Sequence, residues 1–178
     1  YVVSSMHTSN GLVMNGDQEF NTVYYGYEEA VFNNQGRGFQ GFRKIITEEE
    51  IRSPAGVLDN ANNDLRTVSI FHQVFPLAGS LKESYTLPAS ASQGATSDQY
   101  LSHTTNDWAC VNASQSLVDL CNISVGTLTK AHSAGLYQPV LKGSFSRQRE
   151  PNNLSHVFTE TTMNGRSFDA YGNLLSET

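Results

Sequence analysis

The sequence predicts an all-β fold built of antiparallel strands and hairpins, and three observations predict it. Apolar and polar residues alternate with a period of two over much of the chain, which is the repeat of a half-buried strand. Aromatic and β-branched residues are concentrated in these stretches. Charged residues make up only 16% of the 178 residues. Ser, Thr and Asn take their place, and these side chains disfavour long helices because they compete for backbone hydrogen bonds. With 38% hydrophobic residues, the chain is expected to form one β-rich domain, residues 1–178, or a piece of a longer chain.

The first predicted unit is a hairpin near the start of the chain. Residues 20–32 and 39–47 alternate and are rich in aromatic and β-branched side chains. The Asn- and Gly-containing segment 33–36 between them is typical of a tight turn. The polar segment 48–64 contains Pro and Gly, so we expect it to be a long exposed connection.

The rest of the chain predicts further strands, with two local exceptions. Residues 113–120 are the best candidate for a short helix. Asn164-Gly165 predicts a hairpin turn, because both central positions of that turn favour a positive φ. The other predicted strands are 65–75, 81–87, 99–110, 123–128, 139–149 and 155–163.

Charge and hydropathy exclude two classes of partner. The formal net charge is −6, whereas a general nucleic-acid binder needs a basic patch for phosphates. No apolar run approaches the ~20 residues of a membrane-spanning helix. We therefore expect no nucleic-acid partner and no membrane span.

The sequence also predicts no cofactor, no metal and no catalytic residue. Gly36-Arg37-Gly38-Phe39-Gln40-Gly41 is a literal G-x-G-x-x-G, but a dinucleotide site requires that a helix follow the motif. The residues that follow it here favour a strand. The five histidines are scattered, with no pair at a metal-ligand spacing.

Six residues are predicted to act as structural turn residues rather than as a cofactor site. Glycines in a hairpin allow it to pass close to a neighbouring backbone or aromatic ring. Two segments also share the order aromatic, Asn or Asp, two variable residues and Gly, in which the Asx side chain accepts from a turn amide. The predicted turn residues are Asn33, Gly36, Gly38, Gly41, Asp169 and Gly172.

The two cysteines, Cys110 and Cys121, lie eleven residues apart. A disulfide between them would add roughly 3 kcal/mol in an oxidising compartment. The alternative is two buried free thiols that pack as small apolar side chains. The sequence leaves both open.

One stretch resembles a known family. Residues 24–43, YYGYEEAVFNNQGRGFQGFR, are similar to a segment of Rhs/YD-repeat proteins, particularly the B component of bacterial toxin complexes and the plasmid-virulence B proteins. Those proteins contain a tyrosine-rich strand, a G-R-G-F-x-G-F hairpin and a long strand that ends near F-P, here within 72–76. The specific match covers residues 20–76. The tail, 168–178, resembles a YD repeat with Phe168 in place of the first tyrosine.

The resemblance implies a structural function. Such proteins wind long antiparallel strands into a hollow β-shell that encloses a toxic C-terminal segment until delivery. It implies a secreted or cell-surface bacterial protein whose partners are the rest of its parent chain or other toxin-complex components. No catalytic residue of the family matches this sequence. Unpaired sheet edges of an isolated piece also favour self-association.

Two alternatives remain from the sequence. The first is a β-sandwich module on an Rhs-like parent that binds a glycan or a protein, favoured if Tyr24, Tyr25, Tyr27 and Trp108 form an exposed cluster. The second is an enzyme fragment, favoured if a cleft brings His72, His103 or Cys110 close to a carboxylate.

Overall fold

The structure of the chain, a computed structural model, describes residues 1–14, 17–34, 37–50, 64–92, 94–112, 117–118, 137–151, 153–169 and 172–177. No helix occurs among these residues, and the predicted all-β antiparallel fold is confirmed. The strands are β1 (Ser5–Met14), β2 (Asp17–Asn33), β3 (Gly38–Glu50), β4 (Leu65–Phe71), β5 (Leu81–Pro88), β6 (Ser102–Asn112), β7 (Leu117–Val118), β8 (Tyr137–Glu150), β9 (Asn153–Met163), β10 (Ser167–Phe168) and β11 (Leu174–Ser176).

One large sheet contains nine of these strands. Its order is β1-β2-β3-β4-β5-β6-β8-β9, and β7 pairs with the end of β6. Every pairing is antiparallel. Strands β10 and β11 form a separate two-stranded sheet. Within the described residues, the chain is therefore one extended sheet with a small appendage and not two facing sheets of similar size.

The predicted hairpin of the first half is formed by β2 and β3. Tyr25 pairs with Thr47, and the register continues to Asn33 opposite Gly38 at the turn. A bulge interrupts it between Ala30 and Phe32. Next to the bulge, Glu29 has a positive φ of 55°, a conformation that non-glycine residues adopt mainly where a strand is locally distorted.

The predicted strand 65–75 is four residues too long, because β4 ends at Phe71. The chain then turns over residues 72–80. The His72 amide donates to the Ser80 carbonyl at 2.9 Å, and the His72 carbonyl accepts from the Gly79 amide at 2.9 Å. Pro76 lies inside this turn and has no amide hydrogen for a strand ladder. The apolar residues that follow Phe71 therefore belong to this turn and not to β4.

Two further predictions differ from the structure. Asn164-Gly165 does not close a hairpin: β9, before it, belongs to the large sheet, and β10, after it, pairs with β11. Only Gly165 has a positive φ, at 71°, so the turn conformation that would return the strand alongside β9 is absent. The helix predicted over 113–120 is wrong at Leu117–Val118, which pair with β6. The rest of that segment and the strand predicted over 123–128 lie outside the described residues.

The two faces of the large sheet differ in chemistry. Register partners on neighbouring strands point to the same face, and successive residues alternate. The face that carries Val68 and Leu87 lies under the described residues of the segment 89–100, among them Ala95 and Tyr100, and we call it the covered face. The opposite face carries paired hydroxyls, and we call it the hydroxyl face. On it, Thr67 and Thr86 are hydrogen-bonded at 3.0 Å.

The buried apolar side chains are few and lie in separate places. Leu77 and Cys110 form one cluster, with Trp108 packed against it. Ala109 and Val140 form another, with Phe168 of β10 packed against it. The second cluster attaches the small sheet to β6 and β8. Among the described residues, the buried hydrophobic side chains are Val68, Leu77, Leu87, Ala109, Cys110 and Val140.

Candidate functional site: the covered face and its loop

A row of side chains crosses the covered face from strand to strand. The register aligns one residue from each of six neighbouring strands, β3 to β6, β8 and β9. The row begins with apolar and aromatic groups at one end and finishes with an ion pair at the other. Cross-strand pairs of this kind are the unit of sheet stabilisation. Its members are Ile46, Val68, Tyr85, His103, Arg147 and Glu160.

Tyr100, from the loop 89–100, packs against the centre of the row. Its ring stacks on Tyr85, with centroids 4.1 Å apart and planes 4° apart. It meets the edge of the His103 ring at a centroid distance of 5.2 Å. The Tyr100 hydroxyl donates to the Ala95 carbonyl at 3.2 Å. Tyr100 thus joins the loop to the sheet.

The environment of this aromatic group shifts one titration. Burial raises the pKa of Tyr100 above the ordinary value of a phenol, and the neighbouring Tyr85 and the Glu83 carboxylate add to the rise. Each of these influences disfavours the phenolate. Tyr100 is therefore held as a neutral packing group.

His103 lies against a carboxylate, as the enzyme alternative required. Its Nε2 is 2.8 Å from Glu83 Oε1, and the His103 side chain is 14% exposed. The contact is between diagonal neighbours on β5 and β6, since His103 pairs in register with Tyr85 and Glu83 with Thr105, and Tyr100 packs edge-on against the His103 ring. Within the described part of the chain, no group of three or more His, Cys, Asp and Glu residues could hold a metal ion. The contact is an interstrand pair that stabilises the sheet.

Two arginines hold the loop 89–100 over the covered face. Arg66 of β4 donates from Nε to Glu48 at 2.6 Å, and from its two terminal nitrogens to the carbonyls of Ala91 and Ala89 at 3.3 and 3.0 Å. Arg149 of β8 donates to the Tyr100 carbonyl at 3.1 Å and also to the Ser97 carbonyl. Charge-assisted bonds to carbonyls are stronger than neutral ones, so the loop is anchored at both ends.

The space between the loop and the sheet is larger towards β9, where a cavity of about 470 Å³ is lined by Asp98, Gln99, Arg149, Leu154, Ser155 and Val157. A cavity of about 60 Å³ lies between Val68, Leu87 and Ala95, with Arg66 and Glu48 at its rim. This smaller volume is well below the roughly 300–1,000 Å³ of typical ligand pockets. Around Val68, the space between the loop and the sheet is therefore mostly filled by packed side chains.

The predicted binding aromatics do not form one cluster. Tyr24 and Tyr25 are adjacent on β2, so they point to opposite faces, and Tyr27 lies on the same face as Tyr25. Tyr24 is 49% exposed. The Tyr27 hydroxyl donates to the Val3 carbonyl at 2.9 Å, and its ring packs on Phe42 at 4.7 Å. Trp108 lies on β6, four strands away, with Nε1 donating to the Leu81 carbonyl at 2.8 Å.

The predicted turn glycines are explained by backbone conformation. Gly38 and Gly41 have φ of 69° and 89°. A Cβ built at either position would meet nothing within 4 Å, so the expected close approach to a neighbour is not their reason. Gly172, with φ of 79°, has both constraints, because a Cβ there would lie 2.5 Å from the Gln138 side chain. Gly36 lies outside the described residues.

The predicted Asx residues of the two turns are Asp169 and Asn33. Asp169 Oδ1 accepts from the Asn173 amide at 2.8 Å, and its Oδ2 accepts from the Asn173 side chain at 2.8 Å. The Asp169 carbonyl also accepts from the Gly172 amide at 3.1 Å. Asn33 is the last residue of β2, opposite Gly38.

The other two residues of the enzyme alternative are Cys110 and His72. Cys110 is disulfide-bonded and 1% exposed. Its predicted partner, Cys121, lies outside the described residues. His72 lies in the turn after β4, where burial, aided by the charge of Lys82, lowers its pKa. Neither residue is part of the contact between His103 and Glu83.

The sequence reading missed an exposed aromatic patch at the β2–β3 turn. Phe32 and Phe39 face each other across the hairpin and are 66% and 56% exposed. Nearby, the Arg37 guanidinium lies over the Phe75 ring, 3.3 Å from its centroid. We call Phe32, Phe39, Phe75 and Arg37 the aromatic tip. Phe32, Arg37 and Phe39 lie beside the predicted turn 33–36, and Phe75 lies beside Pro76. Their position next to predicted turns was the feature of the sequence that could have indicated this patch.

No helix in the described residues is long and apolar enough to cross a bilayer. No protein-family model matches the sequence, and no curated protein matches it significantly. Solved structures do match the fold. The crystal structure of TcdB2-TccC3 without its hypervariable C-terminal region superposes with a TM-score of 0.62 and 11% sequence identity, over 89% of this chain and 9% of that one.

The chain shares the fold of a segment of TcdB2-TccC3. Two further structures agree: TcdB2-TccC3 itself, with a TM-score of 0.61, and TcdB2-TccC3-Cdc42, with 0.59, each at 10% identity and over 89% of this chain. TcdB2-TccC3 chains belong to a toxin complex. The expected resemblance to toxin-complex chains is thus confirmed at the level of the fold. The chain spans about a tenth of their length, 9% in each case.

Proposed function

We propose that this chain is a non-enzymatic structural segment of an Rhs/YD-repeat toxin or surface protein, and that it forms part of a β-shell around a toxic C-terminal region. The observation that carries the proposal is the single nine-stranded antiparallel sheet, with a fold shared with a segment of TcdB2-TccC3. A shell wall requires long paired strands that follow one another in the sheet, and the strand order here is nearly sequential.

The distribution of buried residues supports the same function. A wall is stabilised by cross-strand pairs and by local covering segments, and it does not need one dense core. The row on the covered face and the paired hydroxyls on the other face supply such pairs. Polar groups reach both faces, as in the ion pair Arg147–Glu160 at 2.8 Å. A compact binding module would instead concentrate its apolar residues between two sheets.

Partners and location follow from the proposal. The rest of the parent chain, or other toxin-complex components, would continue the sheet beyond the segment, and the parent would be secreted or displayed on a bacterial surface. The proposal assigns no cofactor and no catalytic residue to this segment. The contact between His103 and Glu83 is assigned to sheet stabilisation, because it joins neighbouring strands and Tyr100 packs edge-on against the His103 ring.

Electron cryomicroscopy of the polypeptide that contains this chain tests the proposal. We expect a hollow shell with β1 to β9 in its wall and density enclosed within it. A matched variant, Val68→Asp, changes a side chain that is 3% exposed and should open the wall and expose the enclosed region to protease. Val13→Asp, the same substitution at a position of β1 that is 67% exposed, is the control. A solid particle with no enclosed space would contradict the proposal.

A second candidate function, binding of a glycan or a protein, is favoured by the aromatic tip. Exposed aromatic rings beside an arginine stack on sugars and anchor protein interfaces. A glycan array probed with the chain and with a Phe32→Ser, Phe39→Ser double variant tests this function. Binding that the double variant loses would favour it over the wall.

A further inference from the structure

An open cavity lies between the loop 89–100 and the first residues of β9, and the wall proposal gives it no role. Its volume of about 470 Å³ is within the range of roughly 300–1,000 Å³ that small-molecule sites occupy. Leu154 and Val157 of β9 contribute apolar surface, and Arg149, Asp98 and Gln99 contribute polar groups. An apolar pocket with a few polar groups around it is the usual form of a ligand site.

The guanidinium of Arg149 forms no ion pair within the described part of the chain. Its Nη1 donates to the carbonyls of Ser97 and Tyr100, which are neutral acceptors. Among the described residues, its Nε and Nη2 have no hydrogen-bond partner. Four other arginines each pair with a glutamate instead: Arg43, Arg66, Arg147 and Arg166. Arg149 therefore keeps two donors and its charge for a further partner.

Asp98 brings the opposite charge to the same cavity. Its carboxylate accepts from the Thr96 hydroxyl. This bond, a bond from its own backbone amide and the charge of Arg149 lower the pKa of Asp98, so the carboxylate is ionised at neutral pH. Asp98 and Arg149 nevertheless form no direct ion pair, because Arg149 is held by the carbonyls of the loop and Asp98 by Thr96. Two opposite charges thus lie at one cavity, fixed apart from each other.

We propose that this cavity binds a small zwitterion with an apolar body, the chemistry of a short peptide of apolar residues with free ends. Arg149 receives the ligand carboxylate through Nε and Nη2, the same two nitrogens with which Arg43 holds Glu29. A fork of this kind suits a carboxylate because it makes two parallel bonds. The Asp98 carboxylate receives the ligand ammonium.

The remaining residues of the cavity fit the rest of such a ligand. Leu154 and Val157 contact its apolar side chains, which leave water on binding. Gln99 Oε1 accepts from the Thr96 amide at 3.1 Å, so the carboxamide is held in one orientation and its Nε2 is a further donor for the ligand carboxylate or peptide carbonyl.

A zwitterion suits this cavity better than an ion of one sign. A simple anion would pair with Arg149 but lie close to the Asp98 carboxylate, and a simple cation would meet the reverse conflict. A neutral ligand such as a sugar would leave both charges without an ionic partner. Because both charged groups are already held by the loop, little side-chain freedom is lost on binding. The inference is independent of the wall proposal, since it concerns the cavity and not the assembly of the sheet.

Calorimetric titration with leucyl-leucine and its blocked forms tests the proposal. We expect leucyl-leucine to bind with a Kd of about 1 mM or tighter. N-acetyl-leucyl-leucine lacks the ammonium and leucyl-leucine amide lacks the carboxylate, so each should bind about tenfold more weakly or worse. Glycyl-glycine keeps both charges without the apolar side chains and should also bind at least about tenfold more weakly. No binding of leucyl-leucine at about 10 mM, or a Kd that depends on only one of its ends or not on its side chains, would overturn the proposal.

Substitution of Asp98 locates the binding. Asp98→Asn keeps an oxygen for the Thr96 hydroxyl and removes the charge, so it should weaken leucyl-leucine by about tenfold and leave N-acetyl-leucyl-leucine unchanged. Asp107→Asn is the matched control: Asp107 is 69% exposed and lies opposite Gly143 on β8, away from the cavity. It should bind leucyl-leucine as the unmodified chain does. Equal Kd values for the two variants would overturn the proposal.

Amide chemical shifts locate the site without any substitution, which matters for Arg149 because it also anchors the loop. Leucyl-leucine should move the amide signals of residues 97–100 and 154–157 and leave those of β1 in place. Shifts confined to other strands would overturn the proposal.

Discussion

The rings of Tyr85 and Tyr100 are stacked almost parallel, with planes 4° apart and centroids 4.1 Å apart. Tyr85 belongs to β5, and Tyr100 is the last residue of the loop 89–100. The stack therefore attaches the loop to the covered face at the same point where His103 contacts Glu83. Its loss should free the loop before it affects the rest of the sheet.

Substitution of Tyr100 tests this attachment. Tyr100→Ala removes the stack and the hydroxyl contact, and we expect it to lower the free energy of unfolding by about 2–3 kcal/mol. Tyr100→Phe keeps the ring and should cost about 0.5–1.5 kcal/mol, the value of one hydrogen bond. Urea unfolding measures both, and amide exchange of residues 94–100 shows whether the loop opens first. Equal losses for the two variants would contradict an attachment through the ring.

The raised pKa of Tyr100 predicts a loss of stability in alkali. The folded state favours the neutral phenol, so the unfolded chain releases this proton at a lower pH than the folded chain does. The contribution is complete below the ordinary tyrosine pKa of about 10 and is lost as pH rises through the higher folded value. Unfolding free energies measured across this range should fall more steeply for the unmodified chain than for Tyr100→Phe. Parallel curves would show that another group titrates.

Arg66 predicts a second loss of loop attachment. Its side chain is 18% exposed, and it bonds Glu48 and the carbonyls of Ala89 and Ala91. Arg66→Met keeps the apolar stem and should cost about 1–3 kcal/mol, because Glu48 and the two carbonyls lose their donor. Arg43→Met is the matched control: Arg43 pairs with Glu29 on the exposed side of the hairpin and should cost less than about 1 kcal/mol. Urea unfolding that ranks the two the other way would be inconsistent with the loop contacts.

The cysteines predict a change in mass and in stability on reduction. Cys110 is disulfide-bonded, and the predicted partner is Cys121. Alkylation of the denatured, unreduced chain should add no label, and alkylation after reduction should add two. Reduction should lower the free energy of unfolding by about 2–4 kcal/mol. A labelled thiol in the unreduced chain would exclude the pairing.

Gly38 and Gly172 predict different responses to the same added methyl. Both have positive φ, so alanine should cost about 1–2 kcal/mol at either position from backbone strain. At Gly172 the Cβ also meets Gln138 at 2.5 Å. Gly172→Ala should therefore cost less in a Gln138→Ala background, by about 0.5–1 kcal/mol, whereas Gly38→Ala should cost the same in both backgrounds. Thermal unfolding of the two glycine variants, of Gln138→Ala and of the two double variants measures this difference.

Much of the fold was predictable because strand formation is local. Alternation of side chains and the Asn- and Gly-containing turn predicted β2 and β3, and their pairing needs only the turn between them. The end of β4 was not predictable from alternation. His72 continues the alternation of β4, so the local pattern predicts a longer strand. Its backbone groups bond instead to Gly79 and Ser80, and the local sequence does not reveal those partners.

The candidate site depended more heavily on long-range contacts. Tyr24, Tyr25 and Tyr27 are close in sequence, yet alternation places Tyr24 on one face and the other two on the opposite face. Trp108 was grouped with them by residue type, but the strand order puts three strands, β3 to β5, between β2 and its strand β6. Tyr100, which joins the loop to the sheet, is ordinary in sequence and gains its importance from Tyr85, fifteen residues earlier.

By itself the sequence determined that the chain is a β-protein, where its main hairpin turns and which toxin-complex chains it resembles, because these depend on side-chain period, on turn residues and on a contiguous motif. The tertiary structure alone decided that β9 ends the sheet with an exposed Phe158, that Asn164-Gly165 leads into a separate small sheet, and that two arginines hold a loop over one face. Each of these depends on which distant strands become neighbours, and that is fixed by the free energy of the whole sheet and not by any local segment.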